Sequence, residues 1–128
     1  MPRTVFASPD APKPLGPYSA AVDADPFVYL AGQTPVDPST GRLVDGDVTA
    51  QTHQVFDNLF AVLAAAELGP EHVVKVNVYL TDLTNDFAAM NAVYAERFDA
   101  PYPARTTVCV AGLPMGANVE IELVARRP

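Results

Sequence analysis

Arg105 and Glu120 are the two residues of this sequence whose types and positions suggest chemistry. Arg105 opens the β-branched stretch PARTTVCV, and Asp99 is the only acidic residue within seven positions of it. A guanidinium fork binds a carboxylate through two parallel hydrogen bonds and stays charged at every accessible pH. The sequence therefore indicates either an ion pair with a distant acid at Arg105 or a site for the carboxylate of a ligand.

Glu120 lies in the last apolar stretch, where Val119, Ile121 and Leu123 alternate with it. This alternation places Glu120 on the face of a strand opposite the apolar residues. If the strands that carry Arg105 and Glu120 are antiparallel neighbours, the two side chains lie on the same face, within reach of one cleft. Glu120 then serves as the salt-bridge partner of Arg105, or as a base that holds a water beside a ligand of Arg105.

The other chemically capable residues give weaker signals. Tyr18, in GPYS, is either a packing residue or a hydroxyl in a cleft. Cys109 has no arrangement of His and Asp that supports a nucleophile, and a small core residue is expected there. His53 and His72 are too few and too separated to indicate a metal site. No motif in the sequence indicates a cofactor, and none is expected.

Composition restricts the class of protein that must position these residues. The 128 residues carry 49% hydrophobic residues and a net charge of −7, which predicts one globular domain over residues 1–128. The negative charge and the absence of a basic stripe argue against nucleic-acid binding. No apolar run approaches the length of a membrane span, and one cysteine excludes an internal disulfide. A cytoplasmic protein without membrane contact is expected.

Hydrophobic periodicity predicts the order β-β-α-β-α-β-β, an α+β domain with both helices on one face of a mixed sheet. Asp25-Pro26 marks the turn of a hairpin, and Asp47 or Thr49 is a candidate cap for the first helix. Thr84 or Asn85 is the candidate cap for the second. The predicted elements are a hairpin of residues 18–24 and 27–33, a surface loop over 34–47, helices over 48–67 and 85–98, and strands over 73–80, 105–110 and 119–124.

Alternation also predicts which side chains face the core. Val74 and Val76 are predicted on the helix-covered face, and Phe87 and Tyr94 on the buried stripe of the second helix. The opposite face of the sheet then carries apolar residues that need a partner, which predicts an oligomer. The residues predicted on that face include Val73, Tyr79 and Val124.

Several motifs in order resemble the RidA family, also called YjgF/YER057c/UK114, across nearly the whole chain. They are LGPYSAAV, YLAGQTPVDPSTGRLV, DVTAQTHQVFDNLFAVLAAAEL, VVKVNVYLTDLTNDFAAMNAVYAERF, PARTTV and VEIELVA. The resemblance implies the chorismate-mutase-like α+β fold and a homotrimer with clefts between subunits. It also implies a hydrolase that deaminates reactive enamines and imines, such as 2-aminoacrylate/2-iminopropanoate and 2-aminocrotonate/2-iminobutanoate, to 2-oxo acids and ammonia without a metal or organic cofactor.

The resemblance assigns roles to matching positions. Arg105 is the expected clamp for the substrate carboxylate, and Glu120 the residue that positions or activates water. Tyr18, the backbone of Gly32 and Asn91 are expected to line the same cleft.

Two positions depart from the family's usual residues. Many members have cysteine where this chain has Thr107, and serine where it has Ala31. Thr107 is still expected to bind the substrate. The two departures leave the substrate range open. A binder of small carboxylates without catalysis, a deaminase of a different small substrate, and an endoribonuclease remain as alternative functions.

Overall fold

The sheet has six strands in the order β1-β2-β3-β8-β6-β7, as described by a computed structural model of residues 2–128. All neighbouring strands run antiparallel except β6 and β7, which are parallel. The sheet is thus mixed, as predicted. The strands are β1 (Val5–Phe6), β2 (Ala21–Ala24), β3 (Phe27–Gln33), β6 (Val73–Leu80), β7 (Ala104–Cys109) and β8 (Val119–Arg126), and β4 (Val36–Asp37) and β5 (Arg42–Leu43) form a separate pair.

Three short strands were not predicted. β1 pairs with the edge of the predicted hairpin, and β4 and β5 lie within the segment 34–47 that was expected to be a surface loop. This segment is held against the protein, because the Asn58 amide donates hydrogen bonds to the carbonyls of Thr34 and Val36 at 3.2 and 2.9 Å. Val36 is consequently buried.

The first helix, α1 (Val48–Ala65), begins where the sequence predicts. The Asp47 carboxylate caps it by accepting a hydrogen bond from the Ala50 amide at 3.1 Å. The helix ends two residues before the predicted limit, and Glu67 adopts the left-handed backbone (φ 60°) that follows it. Its apolar stripe is fully buried against the sheet and comprises Val55, Phe56, Leu59, Val62 and Leu63.

The second helix, α2 (Leu83–Arg97), corrects two expectations. Asp82 caps it by accepting from the Asn85 amide at 3.2 Å, so neither Thr84 nor Asn85 is the cap. Phe87 is 38% exposed and does not belong to the core, although Tyr94 does. Both helices cover one face of the sheet, as predicted.

Strand order corrects the expected pairing of the last two strands. β7 and β8 are not neighbours, because β6 lies between them. α2 connects β6 to β7 as a crossover, and strands joined in this way run parallel.

A bulge at the start of β6 changes the faces of two valines. The register with β8 shifts between Val73 and Lys75, so Val73 is buried and Val74 is 41% exposed, the reverse of the prediction. Beyond the bulge the predicted alternation holds, with Val76 on the core face and Tyr79 on the open face.

The open face carries the exposed apolar residues Val5, Phe27, Tyr29, Val74 and Val108. Within residues 2–128, neither helix combines the length and the apolar character that a membrane crossing requires.

Candidate functional site

Arg105 is the second residue of the outer strand β7, and its side chain lies on the helix-covered face of the sheet. Its register partner is Val76, which is fully buried beneath the helices. Its guanidinium carbon lies 4.6 Å from the ring centre of Tyr94 and 5.8 Å from that of Phe87, both on α2. No carboxylate among residues 2–128 forms an ion pair with it. The cation is therefore positioned by aromatic rings and remains available to an anion from solution.

A cavity of about 310 Å³ opens beside this guanidinium, between α2 and the start of β7. Asn91, which the resemblance places in the site, lines this cavity with Arg105. Burial raises the pKa of the Tyr94 phenol, and the nearby Arg105 partly offsets this shift. The complete lining is Asn91, Tyr94, Ala95, Tyr102, Pro103 and Arg105.

Thr107 lies two residues beyond Arg105 and so on the same face of β7. Its Oγ1 is buried and has no hydrogen-bond partner within the described chain. Cys109, one further step along this face, is exposed, so the expectation of a core cysteine was wrong. Arg105 and Thr107 lie on the same face of β7, and they share one side of the sheet with Asn91.

Glu120 lies on the other side of the sheet. It is paired in register with Tyr79 on β6, and its neighbour on the same face of β8 is Glu122. The Tyr79 hydroxyl donates a hydrogen bond to Glu122. Burial, and then the negative charge of Glu122, raise the pKa of the Glu120 carboxyl. A carboxyl with a raised pKa accepts a proton more readily than an ordinary glutamate, as a general base does.

Gly32 lies directly against the Glu120 carboxyl group. A Cβ at position 32 would stand 2.5 Å from Glu120 Oε2. Any residue other than glycine at this position would therefore clash with the Glu120 carboxylate. Gly32 lies where the register between β3 and β8 shifts, between Leu30 and Gln33. Tyr18 and Gly32 line one narrow depression, and the Tyr18 hydroxyl accepts a hydrogen bond from the Leu15 amide at 3.1 Å.

The predicted residues thus form two groups within one chain. Arg105, Asn91 and Thr107 lie beside α2, and Glu120 and Gly32 lie across the sheet, with Tyr18 beside Gly32. The expectation that Arg105 and Glu120 share a face was wrong, because it required β7 and β8 to be antiparallel neighbours.

Replacing Gly32 by alanine should displace the Glu120 carboxylate toward solvent, since a carboxylate at the end of a flexible side chain yields before the backbone does. The raised pKa of Glu120 should then fall toward the ordinary value of 4.5, because burial is its main cause. A carbon-detected NMR titration of Glu120 measures this shift. Gly112→Ala is the matched control, as a Cβ there meets no atom within 4 Å, and an unchanged Glu120 pKa in Gly32→Ala would contradict the argument.

Sequence reasoning missed the aromatic neighbours of Arg105. Phe87 and Tyr94, seven residues apart on one face of α2, were interpreted only as core residues. Tyr94 is buried as predicted, but both rings also contact Arg105. The crossover between β6 and β7 was the available signal, since it brings α2 over β7. The hydrogen bond between Tyr79 and Glu122, beside Glu120, was also not predicted.

Known proteins resemble this chain over nearly its whole length. Residues 8–127 match the sequence profile of a family described as Endoribonuclease L-PSP. A RutC family protein of Pyrococcus horikoshii is 50% identical over 123 residues, covering 96% of this chain and 97% of that protein. A 2-iminobutanoate/2-iminopropanoate deaminase of Dermatophagoides farinae is 43% identical over 123 residues, covering 96% and 95% respectively.

Solved structures agree with the sequence matches. The crystal structure of RidA from an Antarctic Psychrobacter superposes with a TM-score of 0.92 at 44% identity, covering 97% of this chain and 99% of that one. The present chain has two helices on one face of a mixed sheet, and the superposition shows that the two proteins share this fold. The predicted chorismate-mutase-like α+β fold is thus confirmed. The chain therefore belongs to the RidA (YjgF/UK114) family.

Proposed function

We propose that this protein hydrolyses reactive enamines and imines of small 2-amino acids, such as 2-iminopropanoate and 2-iminobutanoate, to 2-oxo acids and ammonia. The observation that carries the proposal is a guanidinium at a cavity, held by aromatic rings and without an acidic partner in residues 2–128. Such a cation is suited to a ligand carboxylate. The relative named as a deaminase, at 43% identity, supports the reaction class.

The proposed site is shared between subunits of a homotrimer. Arg105 and Glu120 lie on opposite sides of one sheet, so both reach one ligand only if a second copy supplies one of them. A cyclic assembly joins two different surfaces of the same chain. The exposed apolar residues of the open face, among them Tyr29 and Val108, are suited to such a contact.

In the proposed reaction, Arg105 holds the substrate carboxylate and thereby fixes the imine carbon. The Glu120 carboxylate accepts a proton from a water as the water oxygen bonds to that carbon and the π pair of the carbon–nitrogen double bond moves to nitrogen. Glu120 returns this proton to nitrogen, which gives a carbinolamine. A second proton then passes from the carbinolamine hydroxyl to nitrogen, and the carbon–nitrogen bond breaks as the carbonyl forms, which releases ammonia and leaves pyruvate or 2-oxobutanoate. Imines hydrolyse readily in water, so the protein needs only to fix the substrate carboxylate and to orient one water toward the imine carbon. Tyr18, the Gly32 backbone, Asn91 and Thr107 shape the cleft, and the chemistry requires no cofactor.

The first experiment generates 2-iminobutanoate with a threonine dehydratase and divides it between semicarbazide and this protein. We expect faster release of 2-oxobutanoate and less trapped semicarbazone in the presence of the protein. An unchanged partition with folded protein would contradict the proposal. A ligand-dependent thermal shift without turnover would then indicate a carboxylate binder, and turnover of another imine would indicate a substrate range redirected by Thr107 and Ala31.

An endoribonuclease, the activity in the matching family's description, is less well supported by this chain. Its net charge is −7, and phosphate backbones bind to clusters of cations. Failure to bind RNA even at low salt would exclude it. The proposed role is instead the removal of reactive metabolites in the cytoplasm.

A further inference from the structure

Arg105 is held differently from Arg97, the last residue of α2. Arg97 also stacks on two rings, 5.7 Å from the centre of Phe56 and 5.2 Å from that of Phe60. Arg97, however, donates to the Asp57 carboxylate at 2.7 Å, so its charge is already paired. Within residues 2–128, Arg105 contacts two aromatic rings but forms no ion pair with an acidic residue.

Aromatic rings can hold a guanidinium without using its hydrogen-bond donors. The negative face of a ring attracts the flat cation, whereas the N–H groups lie in the guanidinium plane and point past the ring. A carboxylate neighbour would orient Arg105 equally well but would occupy the fork that a ligand needs. Two rings on one helix face fix the plane of the cation and keep its five donors free.

We propose that Phe87 and Tyr94 are positioning residues that fix the Arg105 guanidinium in the orientation in which it receives a ligand carboxylate. The proposal rests on the proposed function only in taking Arg105 as the carboxylate site. It also accounts for Phe87, a large apolar residue whose ring contacts Arg105 although it is 38% exposed. Tyr94 contributes its ring face at 4.6 Å, the shorter of the two contacts.

The test measures the affinity of the full-length protein for 2-oxobutanoate, a stable carboxylate, by titration calorimetry. Phe87→Leu keeps an apolar side chain but removes the ring, and should raise Kd by about threefold. Tyr94→Phe keeps the ring and removes only the hydroxyl, so it should raise Kd by less than Phe87→Leu does. Relaxation of the Arg105 Nε–H group by NMR should show greater motion in Phe87→Leu alone.

Phe60→Leu is the matched control, because it removes a ring from beneath the paired Arg97. It should lower the unfolding temperature and leave both Kd and the Arg105 relaxation unchanged. If Arg105→Ala abolishes binding while Phe87→Leu changes neither quantity, the positioning role is wrong and the carboxylate site stands. If Arg105→Ala itself binds 2-oxobutanoate normally, the carboxylate site fails, and the positioning proposal fails with it.

Discussion

Arg105→Ala should reduce turnover of 2-iminobutanoate by about 100-fold, since two charge-assisted hydrogen bonds to the substrate are lost. Arg105→Lys keeps the charge but not the planar fork, and should retain an intermediate activity, about tenfold below the unmodified protein. The unfolding temperature should change little, because Arg105 has no ion pair to lose within residues 2–128. Full activity in Arg105→Ala would refute the clamp.

A mixture of two inactive variants tests whether the site is shared between subunits. Arg105→Ala and Glu120→Gln, coexpressed with different tags, should assemble into mixed trimers. In each mixed trimer one of the three clefts receives an intact Arg105 from one subunit and an intact Glu120 from the next. Because about three quarters of the trimers in an equal mixture are mixed, about a quarter of the activity should be regained. Mixed trimers confirmed by native mass spectrometry but without activity would show that the two residues do not act across a subunit boundary.

The sequence was sufficient to predict the main elements, because their apolar periods are local properties. Val55, Leu59, Val62 and Leu63 recur at helical spacing and are all fully buried. The bulge at Val73 was not predictable from alternation, since it depends on the register with β8.

The placement of the candidate site depended on contacts between distant segments. Eight residues, AGLPMGAN, join the last predicted strands and suggested a hairpin, whereas β6 occupies the position between β7 and β8. The β6-α2-β7 crossover carried the correct information, because strands linked by a helix pair in parallel. Given that pairing, Arg105 follows Val76 onto the helix side and Glu120 follows Tyr79 onto the open side.

Glu120→Gln should remove the acid limb of the pH–rate profile and lower the plateau by about 100-fold, the usual contribution of a general base. The unmodified protein should lose activity as pH falls through the Glu120 pKa, which lies above the ordinary 4.5 because of burial and the charge of Glu122. Glu122→Gln removes only the second cause. Its acid limb should therefore move to lower pH, with the plateau preserved.

The same raised pKa predicts an opposite effect of Glu120→Gln on stability. A carboxyl whose pKa is higher in the folded than in the unfolded protein stabilises below the unfolded pKa, and this contribution is lost as pH rises through the folded pKa. Near neutral pH the charged Glu120 is thus a cost to folding, imposed by burial and by Glu122. Glu120→Gln should raise the unfolding temperature at pH 7 and lose this advantage near pH 4. A variant that is less active and also less stable at pH 7 would show that Glu120 supports the fold rather than the reaction.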